Sequence, residues 1–206
     1  MKVTSRYAPS RVLSFDLVHV FKAMQLIKNN GHASRALLCQ ELALGEGSIK
    51  TLIKHLKMHN LIETSKSGTR LTSKGEGICS EFLSSIPAEM NLPKCSLTLG
   101  KFNHVVLLKE LDFVVKSGIE QRDAAVKMGA LGATTLLFKD DKFVMPGRSQ
   151  DSLRNEPRIR KLLIDKLKPT EGDVIIVGSA EDEITAELAA KNATLTTIMN
   201  HEKHLR

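Results

Sequence analysis

The chain has 206 residues, 42% hydrophobic and 26% charged, with a formal net charge of +7. That gives room for two modest domains, each able to bury its own core, in the composition range of an ordinary soluble protein. No apolar run approaches the roughly 20 residues needed to span a bilayer, and the opening MKVTSRYAPSRVLSFD lacks the apolar core of a signal peptide. Cys39, Cys79 and Cys95 share no metal or redox spacing, which predicts buried reduced thiols and a cytoplasmic protein.

In chain order, residues 1–11 form a basic arm with Arg6 and Arg11 around Pro9, suited to a minor groove. Ser14 is placed to cap a helix running to about Asn30, with Leu17, Val20, Phe21, Met24 and Ile27 on one face and Gly31 at its end. Ser34 caps a short helix carrying Ala36, Leu37, Leu38 and Leu42, which residues 43–47 break with two glycines. A further helix buries Ile49, Leu52, Ile53 and Leu56, and its other face carries Ser48, Lys50, Thr51, Lys54 and Lys57. Residues 61–64 read as a strand, 66–68 as a hairpin tip and 69–72 as the return strand. Ser73 and Glu76 have capping-box spacing for a helix to about Ser85, and Pro87 and Pro93 bracket a connector over 88–94.

Helix, tight turn, basic helix and basic-tipped hairpin make a winged helix-turn-helix. The stretch GEGSIKTLIKHLKMHNLIETSKSGTRLTSKG resembles the recognition helix and wing of bacterial and archaeal winged-helix transcription regulators. Together with the C-terminal half, the whole chain resembles an archaeal family that fuses a winged helix to a poorly characterised α/β domain. The charge agrees with a nucleic-acid partner: residues 1–85 hold 12 Lys and Arg against 6 Asp and Glu, whereas 86–206 hold 18 against 17.

The second half alternates strands and helices. Strands are expected at 95–99, 134–138, 143–145, 174–177 and 194–198. Helices are expected at 120–128, 159–167 and 181–191, and the apolar segment 105–115 fits a helix better than a strand. This describes a small α/β domain, one sheet flanked by helices.

Two places in it are candidate ligand sites. Gln121, Arg122 and Asp123 open a helix whose free amides favour anions, with Arg122 offering a bidentate hold on carboxylate or phosphate. Gly178 and Ser179 sit where a glycine turn is expected to join a buried strand to a helix, although the acids at 181–183 oppose phosphate there. The histidine pairs His55/His59 and His201/His204 lack a third ligand, so neither a metal nor a cofactor is expected. With 4% aromatics and no Trp, a base-stacking platform for single strands is disfavoured.

The sequence therefore predicts a fold of an N-terminal winged helix-turn-helix, residues 1–86, followed by a small α/β domain, residues 94–206, that senses a ligand or dimerises. The expected function is sequence-specific double-stranded DNA binding in transcription regulation, without catalysis, as a homodimer with a small anionic effector and no membrane partner. The expected DNA-contacting residues are Arg35, Ser48, Lys50, Thr51, Lys54, His55, Lys57, Lys66 and Arg70. The alternatives are an enzyme with a catalytic α/β domain and an autoregulatory winged helix, or a module that docks onto a protein partner.

Overall fold

A computed structural model describes residues 13–204, with side chains placed up to His201; the basic arm around Arg6 and Arg11 and the side chain of His204 lie outside the described residues. These residues form seven α-helices and two antiparallel sheets. The chain divides into two compact units, Met1–Ser84 and Ser85–Arg206. No described helix is long and apolar enough to cross a membrane.

The first unit begins with α1 (Leu17–Asn30). Its N-cap is Asp16 rather than Ser14, and the Asp16 amide donates to Nδ1 of His19 at 3.0 Å, the backward-reaching bond of a capping box with histidine at its third position. α2 (Arg35–Leu42) is capped as the sequence suggests, the Ser34 hydroxyl accepting the Leu37 amide at 3.1 Å. α3 (Glu46–Met58) buries Ile49, Leu52 and Leu56 against Val20, Met24, Ile27, Leu38 and Leu42.

β1 (Ile62–Ser65) and β2 (Gly68–Leu71) pair through a turn at Lys66 and Ser67, in the register Ile62–Leu71 to Ser65–Gly68. Ala33 bonds Thr69 in both directions at 2.9 Å, fastening the hairpin to the segment before α2. α4 (Ser73–Ser85) follows; Thr72, one residue earlier than expected, supplies the cap by accepting the Gly75 amide.

The second unit is a five-stranded sheet in the order β3-β4-β7-β5-β6, antiparallel at every pairing. Its strands are β3 (Ala88–Asn91), β4 (Phe102–Leu108), β5 (Gly132–Lys139), β6 (Lys142–Val144) and β7 (Val174–Ala180). One face packs Val105, Leu107, Leu136, Phe138, Ile175 and Val177 against Leu163 and Leu167 of α6 (Pro157–Leu167). The other is covered by α5 (Ile119–Val126) and α7 (Glu183–His204), through a layer of small residues that includes Ala125, Ala180, Ala186 and Ala189.

Residues 88–91, read as connector, are an edge strand, while 95–99 form a turn rather than a strand. Residues 102–108 are strand and not helix, with a 3-10 turn at Asp112–Val114. Residues 194–198 are helix, not strand: Thr194, Thr196 and Thr197 return their hydroxyls to the carbonyls of Ala190, Asn192 and Ala193 at 2.8–3.0 Å. The hydroxyls, those of Thr194 and Thr197 fully buried, are thereby satisfied within one helix of 22 residues.

Gly178 and Ser179 lie inside β7 rather than on a turn. A Cβ on Gly178 would stand 2.6 Å from the Ala186 carbonyl and 2.7 Å from the Ala190 amide, so glycine is what lets α7 lie directly on the central strand. Ser179 is buried and its hydroxyl accepts the Leu99 amide at 3.1 Å.

Candidate nucleic-acid interface

The side of α3 not committed to the core faces the hairpin across an open cleft of about 850 Å³. From α3 come Lys50, Ile53, Lys54, Lys57 and Met58, whose spacing puts them on one stripe of the helix. From the opposite wall come Thr64, Ser65, Lys66, Ser67 and Thr69, and Ser34 and Arg35 close the end at the start of α2. Five cationic side chains thus line the cleft, with no carboxylate among the lining residues. Lys57 reaches across it, its Nζ donating to Thr64 Oγ1 at 3.1 Å. Lys50 lies 3.5 Å from Glu46 one turn earlier, an exposed pair that constrains it weakly.

Of the residues expected at a DNA surface, Arg35, Lys50, Lys54, Lys57 and Lys66 meet in this cleft. Ser48 and Thr51 lie on α3 outside it; Thr51 is half-buried and its hydroxyl bonds the Gly47 carbonyl at 3.0 Å. Arg70 stands opposite Glu63 on the other face of the hairpin, because side chains alternate along a strand and Thr69 is the residue turned inward. His55 is buried and packs edge-on against Phe15 at 5.7 Å; it is a core residue and is not available to a groove. The hydroxyls of Thr64, Ser65 and Ser67 were missed in the sequence, although hairpin pairing alone puts Thr64 across from Thr69.

In the second unit the residues expected to hold a ligand separate. Gln121 is buried and its amide donates to Thr197 Oγ1 at 2.9 Å, tying α5 to α7. Arg122 is exposed and pairs with its neighbour Asp123 at 3.1 Å. It also lines a second, smaller hollow of about 350 Å³ with Gly118, Thr135 and Arg148.

A third cluster had no signal in the sequence, since its members come from three distant elements. Glu89 on β3, His104 on β4 and Glu187 on α7 bring ligand-type atoms within 4.8 Å of one another. Lys191 is the cation already among them, 3.1 Å from Glu89 and 2.5 Å from Glu187. Burial pushes the Glu89 carboxyl up, but His104 and Lys191 together outweigh it and hold it at about 2. With an ammonium in this position, the donor set reads as a buried ion network and not as a vacant metal site.

Residues 18–77 match the family model described as the PH0730-like N-terminal domain, and residues 99–198 match a domain of unknown function, DUF4443. Among solved structures, the chain is similar to the hypothetical protein PH0730 from Pyrococcus horikoshii OT3. The two share 26% sequence identity and a TM-score of 0.70, over 94% of this chain and 96% of that one. No curated protein matches the chain. These similarities point to an archaeal family.

Proposed function

We propose that this protein is a double-stranded DNA-binding transcription regulator whose first unit is a winged helix-turn-helix. α3 is then the recognition helix and the β1–β2 hairpin the wing. The observation that carries the reading is the cleft between them, with its five cations and no lining carboxylate. A phosphodiester strand entering it meets Lys50, Lys54 and Lys57 from the helix. Lys66 and the hydroxyls of Ser65 and Ser67 meet it from the hairpin. Contacts of this kind set position and affinity, and base discrimination falls to the rest of the exposed surface of α3.

One recognition helix reads only a few base pairs, too few to single out an operator among genomic competitors. The regulator therefore acts as a homodimer with half-sites about 34–36 Å apart or a multiple of that. The second unit serves as its effector or dimerisation domain.

The test is a charge reversal in the cleft. Lys54 is exposed, so Lys54→Glu leaves the fold intact, and it should weaken binding to duplex DNA by about tenfold or more at moderate salt. Unchanged duplex affinity in Lys54→Glu overturns the proposal.

A further inference from the structure

We propose that the hollow at the start of α5 is a binding site for a small oxyanion, a phosphate or carboxylate group of a metabolite, held by Arg122, Arg148 and Thr135. α5 opens at Gly118, whose φ is 77°, and Ser117, Gly118 and Ile119 at this turn line the hollow. The Ile119 amide has only a long bond of 3.4 Å to the Ser117 hydroxyl, and the dipole end of the helix favours negative charge.

The independent observation is Thr135. It is 5% exposed on β5, it lines the hollow, and its hydroxyl is a buried polar atom with no hydrogen-bond partner among the described residues. Its Cβ and hydroxyl lie 3.4 and 3.5 Å from where a side chain on Gly118 would begin, which sets the residue beside the α5 turn at the hollow. A buried hydroxyl without a partner carries a desolvation cost that an oxyanion acceptor removes.

Arg148 stands on the opposite rim, exposed and without an ion pair among the described residues. Arg122 lines the same hollow, and its ion partner among the described residues is the exposed Asp123 at 3.1 Å, a weak competitor for a bidentate ligand. Glu120, the other acid of this turn, is engaged elsewhere, its Oε2 accepting from Asn200 at 2.9 Å. Two guanidinium groups, a hydroxyl and a helix start around about 350 Å³ suit a small anionic metabolite rather than a polymer.

The site rests on the effector-domain half of the regulator reading and gives it a ligand class. It is tested without DNA, so failure here leaves the DNA-binding half standing, and loss of DNA binding leaves this site untouched. Full-length protein is titrated with inorganic phosphate and, separately, with acetate, at constant ionic strength and with amide chemical shifts as the readout. Site resolution separates this hollow from the cationic cleft on α3.

The expected result is saturable movement of the Gly118, Ile119 and Thr135 amides. Arg148→Ala, at an exposed position, should weaken it by about tenfold or more, and Thr135→Val severalfold. Asp123→Asn, which releases Arg122, should tighten it. Saturation by phosphate identifies a phosphate-bearing ligand, and saturation by acetate alone a carboxylate. No saturable movement with either anion, or an affinity unchanged in Arg148→Ala, overturns the proposal.

Discussion

Replacing Lys191 by methionine removes a buried charge while keeping most of its methylene stem. Lys191 is 1% exposed on α7, and its Nζ lies 2.5 Å from Glu187 and 3.1 Å from Glu89. Its attraction, with that of His104, holds the Glu89 carboxyl at about 2 against an ordinary value of 4.5. At 1.36 kcal/mol per pKa unit, that difference is worth about 3 kcal/mol. Deleting one partner of a buried pair costs roughly 3–5 kcal/mol. His104 carries part of that difference and stays in place, so Lys191→Met should lose about 3 kcal/mol near neutral pH, chiefly from the buried carboxylates it leaves unpaired.

The pH dependence gives the sign. Because the folded value of Glu89 lies below its unfolded one, its stabilisation is complete above about pH 4.5 and is lost as the pH falls toward 2. The variant has a smaller depression and less to lose across that window, so the two proteins converge in acid. Native-state amide exchange on β4 and β7 reads the opening of this unit alone. A deficit under about 1 kcal/mol near pH 7, or one that stays constant from about pH 5 to pH 3, refutes the reasoning.

Two other perturbations test the packing. Gly178→Ala puts a methyl group against the α7 backbone, at 2.6 Å from the Ala186 carbonyl, and should cost about 1–3 kcal/mol or more in urea unfolding; a neutral result would show that α7 does not lie on β7 as described. His19 is neutral and accepting at Nδ1, and burial lowers its pKa below 6.5. The stability of α1 should accordingly be full above pH 6.5 and decline as the pH falls below it, in NMR-followed urea unfolding. His19→Gln should flatten that dependence.

The first unit was the more legible in the sequence, because its core is written in helical spacing. Ile49, Leu52 and Leu56 recur at one face of α3, and glycines and polar residues mark the turns. The second unit hid its strands for identifiable reasons. β4 is covered on both faces, so residues 105–108 are continuously apolar, and Leu111 and Val115 beyond its end completed a helical spacing by coincidence. The threonines of α7 suggested a strand because their β-branching is visible in the sequence, whereas their bonds to the preceding turn are not.

At the candidate site, composition identified the cations that line the cleft. It could not show that His55 turns inward to Phe15, since a histidine four residues from His59 fits either side of a helix. Arg148 carries no signal of its own in the sequence, because only the fold brings residue 148 beside residue 122.

DNA binding by this protein is proposed to run through the cationic cleft of the first unit. Fluorescence anisotropy of the full chain on duplex DNA, titrated across a range of salt, tests it most directly. Five lining cations, at about 0.9 per phosphate neutralised, predict a slope of log affinity against log salt approaching about −4.5. A slope near zero, or no duplex binding at low salt, contradicts it.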